Sequence, residues 1–139
     1  MNYEITIRRT FSAAHAIRLH DGSLEPLHGH DWVVQVTVAS ERLDGMETVM
    51  DFHELQRIVD GPIGGLHNRN LNDVPPFADG HGGLKVNPTA ERVASWLAER
   101  VTGHLPGSVR LICVEVEEAP DCVARYTPGG SAESDASTA

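Results

Sequence analysis

The sequence predicts an α+β fold in which two helices cover one face of a four-stranded antiparallel sheet. Two observations lead to this prediction. Apolar and polar residues alternate in four segments, as in half-buried strands, and apolar residues follow helical spacing in two others. The segments occur in the order strand, strand, helix, helix, strand, strand, which is typical of helices packed against one side of an antiparallel sheet.

The first two strands are predicted on either side of a loop. Alternation from Tyr3 onward predicts a strand over about residues 2–10, with one face exposed to solvent. Residues 16–27 contain turn-forming Asp, Gly, Ser and Pro and are predicted as a loop. The second strand is predicted over about residues 30–40 and is expected to pair antiparallel with the first.

Two amphipathic helices follow. The first begins at Asp51, an acceptable N-cap, and is predicted to end at Gly61-Pro62. The second begins in Asn87–Glu91, where a proline and a glutamate suit a first turn, and it runs to about residue 102. The stretch between the helices is rich in Gly, Pro, Asn and Asp, and a loop of this length is more often functional than idle.

The last two strands are predicted over about residues 108–118 and 122–126. Residues 1–128 therefore form a single predicted domain. The tail, residues 129–139, has low hydrophobicity and is expected to be disordered. An open four-stranded sheet leaves unpaired edges, and edge-to-edge assembly of subunits is one way to cover them, so we expect an oligomer.

A carboxylate occupies an unusual place in the third strand. Ile112, Val114 and Val116 share one parity, and Glu118 falls on the same parity. If that parity faces the core, Glu118 points inward, where a carboxylate needs hydrogen-bond donors. A heterocycle with an amino group beside a ring N–H offers two parallel donors. The alternative is that the strand ends there and Glu118 lies in solvent.

Composition excludes some classes of function. The 139 residues include 20 acidic and 11 basic side chains, with a formal net charge of −9, whereas nucleic-acid binders usually carry a basic patch. Two cysteines and no hydrophobic N-terminal segment favour a cytoplasmic protein without a disulfide framework. No apolar run approaches the roughly 18 residues of a membrane-spanning helix.

The clearest functional pattern is His28-Gly29-His30, read together with His15. Alternate residues of a strand share a face, so His28 and His30 project side by side. A third imidazole from His15 leaves one position of a tetrahedral zinc ion open, as in catalytic zinc sites. The alternative is chance, since the chain contains eight histidines.

Six segments carry a resemblance to a known family. They are Phe11-Ser12-Ala13-Ala14-His15, Leu27-His28-Gly29-His30, Val49-Met50-Asp51-Phe52, Leu71-Asn72-Asp73, Asn87-Pro88-Thr89-Ala90-Glu91 and Val116-Glu117-Glu118-Ala119-Pro120. In this order, over about residues 3–127, they resemble the 6-pyruvoyltetrahydropterin synthase and 6-carboxytetrahydropterin synthase family.

The resemblance implies a tunnelling fold (T-fold), in which strands of three subunits close a barrel and two barrels stack into a homohexamer. It also implies active sites between subunits and a substrate, 7,8-dihydroneopterin triphosphate, whose side-chain hydroxyls bind zinc. A metal-bound hydroxyl loses its proton more easily, so protons can move along the side chain near neutral pH.

The resemblance also assigns roles to individual residues. By position, the zinc ligands of the family fall on the three histidines named above. Its pterin anchor, a glutamate at the end of the third strand, falls on Glu118. Thr89 and Glu91 match a segment that lines the pterin pocket, although a role at the start of a helix explains them equally well.

Two positions depart from the family pattern. The usual general base is a cysteine, and its position is Leu24 here. Glu25 follows, and a subgroup of the family uses a loop glutamate and gives a hydroxymethyl pterin; the alternative is an exposed loop carboxylate. The Asp-His pair of the family becomes His67-Asn68, and His67 is able to serve in proton transfer only if the loop shifts by one residue.

The sequence thus supports two hypotheses. In the first, the chain is an atypical zinc-dependent lyase acting on dihydroneopterin triphosphate or a related pterin, with Glu25 and His67 sharing proton transfer and Glu118 holding the pterin. In the second, it is a zinc- and pterin-binding structural hexamer without turnover, because the cysteine and the Asp-His pair are replaced.

Overall fold

The computed structural model of the chain describes residues 2–129. Apart from Gly129, the predicted disordered tail, residues 129–139, lies outside the described residues. None of the helices described is long and apolar enough to cross a membrane.

Five strands form one mixed sheet: β1 (Tyr3–His15), β2 (His28–Ser40), β3 (Arg69–Asn70), β4 (Arg110–Ala119) and β5 (Cys122–Tyr126). Their order across the sheet is β3-β1-β2-β4-β5. All neighbours are antiparallel except β1 and β3, which run parallel. The α+β class and the four predicted strands are confirmed, and β3 is an additional strand.

The extra strand β3 lies in the segment that was predicted as a loop. The main-chain N–H of Asn68 donates to the carbonyl of Ser12 at 2.6 Å, and the pairing of β3 with β1 follows directly. Leu66 and Leu71, on either side, are fully buried. A two-residue strand is too short to show alternation, so long-range packing alone determines it.

The first strand is longer than predicted, and the extra length creates the site. β1 continues to His15 instead of ending near residue 10. Phe11, Ala13 and His15 are buried and continue the inward parity of Ile7. The segment Ser12–Ala14 contains no β-branched residue, so intrinsic strand propensity did not indicate this extension.

Two helices, α1 (Phe52–Gly64) and α2 (Ala90–Thr102), pack against one face of the sheet. The side chains of Asp51 and Thr89 each accept a hydrogen bond from a main-chain N–H of the following first turn. Such N-caps stabilise a helix by about 1 kcal/mol each. Both helix starts agree with the sequence prediction.

The end of α1 differs from the prediction. The helix passes Gly61-Pro62 and ends at Gly64. Pro62 lies in the last turn, so its missing N–H removes only one intrahelical bond. Ile63 is buried in the core directly after it. Burial of this side chain offsets the weak helix propensity of the Gly-Pro pair.

The core lies between the helices and the inward face of the sheet. Alternate residues of β2 have no exposed surface, whereas their neighbours along the strand are half-buried. The inward residues of β2 and the fully buried helix residues that cover them are Trp32, Val34, Val36, Val38, Leu55, Val59, Val93 and Leu97.

The strand β4 departs from a single alternation. Val114 and Val116 are buried as expected, but Ile112 is half-buried while Leu111 and Cys113 are buried. The pairing of β4 with β2 shifts register at this point. Such an irregularity reverses the parity that faces the core. Ile112 therefore does not share the buried face with Val114 and Val116.

Candidate metal centre

Three histidines meet at one end of the sheet. His15 ends β1 and His28 begins β2, and the antiparallel register pairs them directly, while His30 pairs with Ala13. One ring nitrogen from each histidine lies within 4.8 Å of the other two. The structure therefore brings together the three residues that the resemblance assigns to zinc.

Two of the rings are oriented by main-chain carbonyls. The Nδ1–H of His15 donates to the carbonyl of Pro88 at 2.7 Å, and the Nδ1–H of His28 donates to that of Pro26 at 2.9 Å. A proton held on Nδ1 leaves the Nε2 lone pair free, and the two Nε2 atoms lie 3.2 Å apart. Carbonyl partners of this kind fix the tautomer and orientation of metal-binding histidines.

The third ring, His30, provides a test of whether a cation fits. Its Nε2 atom is buried and has no hydrogen-bond partner within residues 2–129. Burial lowers the pKa of His30, the charges of His15 and His28 lower it further, and the carboxylate of Glu118 opposes the shift. A neutral, unpartnered imidazole nitrogen facing two others is the donor set that zinc prefers, so the residues fit the ion.

A buried tryptophan forms the floor of the cluster. The Trp32 indole N–H donates to the carbonyl of Ala13 at 3.1 Å. Its ring packs edge-on against His15 and His30, with centroids 4.9 and 5.7 Å away, and stacks on Phe11 at 5.7 Å. The histidines therefore rest on rigid aromatic side chains, which limits their rotamer freedom.

Glu118 faces the histidine cluster from the end of β4. Its Oε1 atom lies 2.9 Å from His15 Nε2 and 3.9 Å from His30 Nε2, and the side chain is 31% exposed. A carboxylate beside three imidazoles adds a negative charge that favours a bound cation. The same partial exposure leaves the carboxylate accessible to a ligand.

Glu25 lies beside the cluster and not in a solvated loop. Its main-chain N–H donates to the carbonyl of Ile17 at 2.9 Å, and its Oε1 accepts from the N–H of Ile17 at 3.1 Å. Oε1 is 3.9 Å from His28 Nε2, and the side chain is 29% exposed. Leu24, at the cysteine position of the family, is 56% exposed.

His67 contacts the main chain of β1 and is not one of the three converging histidines. Its Nδ1 accepts a hydrogen bond from the main-chain N–H of Ser12 at 3.1 Å. With Nδ1 used as an acceptor, the neutral ring carries its proton on Nε2 and has no free lone pair. The observed contact therefore favours a hydrogen-bond donor over a base.

Thr89 and Glu91 both belong to the start of α2. The Thr89 hydroxyl accepts from the N–H of Arg92 at 3.1 Å. Glu91 is exposed in the first turn, where a negative charge favours the helix dipole. Both residues thus have a structural role, and contact with a pterin stays a prediction.

A family model for 6-pyruvoyl tetrahydropterin synthase matches residues 4–129 of the chain. The chain belongs to this family. Solved structures of the family share its fold: Caenorhabditis elegans 6-pyruvoyl tetrahydropterin synthase superposes with a TM-score of 0.76 at 21% identity, covering 93% of this chain and 97% of that one. The subunit fold predicted from the resemblance is confirmed, and the assembly into a hexamer stays a prediction.

Curated relatives in the 6-pyruvoyl tetrahydropterin synthase family include different enzymes. Dihydroneopterin monophosphate aldolase of Pyrococcus furiosus is 39% identical over 80% of this chain and 85% of its own length. The 6-carboxy-5,6,7,8-tetrahydropterin synthase of Synechocystis sp. is 38% identical over 84% of this chain and 87% of its own. Membership of this family therefore indicates a pterin-processing protein but does not determine which reaction it catalyses.

The sequence analysis did not identify Asn72 and Asn87, whose side chains bind the main chain directly after His15. The Asn72 side chain accepts from the Ala16 N–H at 2.9 Å and donates to the Ala16 carbonyl at 2.8 Å. Asn87 makes the same pair of bonds with Arg18, at 2.8 and 3.0 Å. Each amide pairs with the main chain as a neighbouring strand would, and both asparagines fall within family segments that could have indicated them.

Replacing Asn72 by alanine is expected to weaken zinc binding without removing a ligand. The change leaves the N–H and carbonyl of Ala16 unpaired, so the residue next to His15 loses its support. Loss of a residue bonded to the ligand ring itself costs about 10- to 100-fold in metal affinity, and Asn72 supports only the adjacent main chain, so we expect a loss of at most about 10-fold. Competition with a chelator measures the Kd, and Asn2→Ala, at an exposed asparagine remote from the cluster, is the control. An unchanged Kd in Asn72→Ala would contradict the role.

Proposed function

We propose that this chain is a zinc-dependent carbon–carbon lyase that shortens the side chain of a 7,8-dihydroneopterin phosphate. The observation that carries the proposal is the Glu25 carboxylate, 3.9 Å from His28 Nε2, beside a histidine cluster that lacks the family cysteine. The 39% sequence identity to the dihydroneopterin monophosphate aldolase of Pyrococcus furiosus supports the same reaction.

His15, His28 and His30 would hold the zinc ion through Nε2. When bound, zinc lowers the pKa of a coordinated hydroxyl and polarises a developing carbonyl. The chain supplies the orientation, because Pro88 and Pro26 carbonyls fix two of the rings. Trp32 excludes water from beneath the cluster, since it has no exposed surface.

Glu25 is assigned the role of general base. Its carboxylate accepts the proton of the hydroxyl on the second side-chain carbon, and the bond between the first and second carbons breaks. The electron pair of that bond passes into the conjugated ring imine, and a two-carbon aldehyde bearing the phosphate leaves. Protonation of the first carbon then gives a hydroxymethyl dihydropterin, so the step needs no oxidant or reductant.

Glu118 is assigned to the pterin ring. A carboxylate binds an amino group and a neighbouring ring N–H through two parallel hydrogen bonds. In this structure Oε1 contacts His15 and His30, so Glu118 exchanges that contact for the ring when the substrate binds. Thr89 and Glu91 line the approach to the same pocket in this proposal.

Two further assignments accompany the proposal. His67 is assigned to assist proton transfer by donating a hydrogen bond from Nε2–H to the substrate, in agreement with its Nδ1 contact to Ser12. The chain assembles as a homohexamer of 15.1 kDa subunits, with the pterin bound between neighbouring subunits. Size-exclusion chromatography with light scattering measures the mass of the assembly, and a stable monomer would exclude the hexamer.

The experiment is product analysis. Zinc-loaded protein is incubated separately with dihydroneopterin triphosphate and with the monophosphate, and products are identified by mass spectrometry. We expect a hydroxymethyl dihydropterin and a phosphorylated two-carbon aldehyde in equal amounts. A 6-carboxy or 6-pyruvoyl tetrahydropterin would contradict the carbon–carbon lyase assignment while keeping a pterin enzyme.

The second candidate function is a pterin-binding hexamer without turnover. The contact of His67 favours it, because Nδ1 of this residue, one of the two assigned to proton transfer, is occupied by the Ser12 N–H. In that case the parent protein gives no product from either substrate but still binds the pterin in a Glu118-dependent manner.

A further inference from the structure

A cavity of about 520 Å³ lies between α1, α2 and the segment 74–76, and it shares no residue with the histidine cluster. Gly61 on α1 is one of the residues that border the cavity. A Cβ built at Gly61 meets no atom within 4 Å. The volume lies within the range of pockets that bind small organic ligands, about 300–1,000 Å³.

The lining combines an apolar surface with basic side chains. Trp96 on α2 supplies a flat ring, and the guanidinium of Arg100 lies 5.6 Å from the ring centroid. Arg57 and His104 also line the cavity, whereas none of the acidic side chains in residues 2–129 does. The apolar part of the lining consists of Ile58, Pro62, Leu66, Val74, Pro76 and Trp96.

The charge of this lining is opposite to that of the chain as a whole. The full sequence has a net charge of −9, so an excess of basic groups in one concave region is unexpected by composition. Arg57 pairs with Glu54, but Arg100 forms no ion pair within the part of the chain that the structure describes. Charge complementarity therefore points to an anionic occupant.

We propose that this groove binds a small organic anion, a flat ring system that carries a phosphate, sulfonate or carboxylate group. The ring lies against Trp96 and the neighbouring aliphatic side chains, and the anionic group contacts Arg100. Guanidinium groups suit such anions because they present several N–H donors in one plane. Three chain segments border the cavity, which favours a compact molecule over an extended peptide.

The test uses 1-naphthyl phosphate as the probe and isothermal titration calorimetry as the measurement. We expect saturable binding to the full chain, weakened about tenfold or more by Arg100→Gln, as for lost hydrogen bonds to a charged group. Gly61→Leu places a bulky side chain in the open space of the groove and is expected to weaken binding similarly. Because leucine favours helix over glycine, the melting temperature of Gly61→Leu should not fall.

The control is Arg92→Gln, the same substitution on α2 at an exposed arginine that does not line the cavity. Binding that is lost in Arg92→Gln, or unchanged in both groove variants, would place the probe elsewhere and overturn the proposal. If 1-naphthol, which lacks the phosphate, bound with the same affinity as 1-naphthyl phosphate, the arginines would have no role and the proposal would be overturned. A change of oligomeric state in Gly61→Leu would identify the groove as a contact between copies of this chain, which is incompatible with a free ligand site.

Discussion

Replacing His28 by alanine is expected to abolish zinc binding and product formation together. His28 supplies one of the three converging ring nitrogens. Two imidazoles are fewer protein ligands than zinc sites normally have, so the remaining pair should bind zinc poorly. The loss should exceed the roughly 100-fold that an outer-shell change produces. Zinc content by mass spectrometry and turnover of dihydroneopterin phosphate are the two measurements.

His28 is the informative ligand because its side chain is 40% exposed, whereas that of His15 is 1% exposed. Truncating His28 leaves no buried cavity, so the metal-free protein should keep its melting temperature. His20→Ala, at an exposed histidine in the loop that precedes β2, is the matched control. One zinc ion per chain in His28→Ala would contradict the ligand set.

Replacing Glu25 by glutamine is expected to lower kcat by about 10²- to 10⁴-fold, the usual contribution of a general base. The amide oxygen of glutamine still accepts the hydrogen bond from Ile17 N–H, so the loop should keep its conformation. Zinc content and KM should therefore change little. Single-turnover kinetics with quantified product measures the chemical step.

Two comparisons make the Glu25 result specific. Glu25→Asp keeps a carboxylate on a shorter side chain and should retain part of the activity that Glu25→Gln loses. Glu41→Gln changes an exposed glutamate outside the site and should have no effect. A kcat for Glu25→Gln within about threefold of the parent would remove Glu25 from proton transfer, since a base normally contributes far more.

Most of the fold could be predicted because local patterns agree with long-range packing. The N-caps Asp51 and Thr89 and the alternation along β2 lie where the sequence indicated them. The errors occur where tertiary contacts dominate. The two-residue strand β3 is fixed by pairing with β1 and by buried Leu66 and Leu71, and Ile112 lies at a register shift that no periodicity reports.

The candidate site divides in the same way. His-Gly-His on a strand predicts two convergent rings from local geometry alone, but the contribution of His15 depends on the unexpected length of β1. The contact of His67 with Ser12 and the bonds of Asn72 to Ala16 join residues more than fifty positions apart. Such pairings follow from topology, which sequence spacing does not contain.

The arrangement assigned to this chain is a divalent ion coordinated by three ring nitrogens at the end of two paired strands. Diffraction from crystals grown with zinc, recorded at the zinc absorption edge, locates the ion directly. We expect one anomalous peak per chain, about 2.0–2.1 Å from the Nε2 atoms of His15, His28 and His30. Absence of a peak there, or zinc bound only at other residues, would contradict the account.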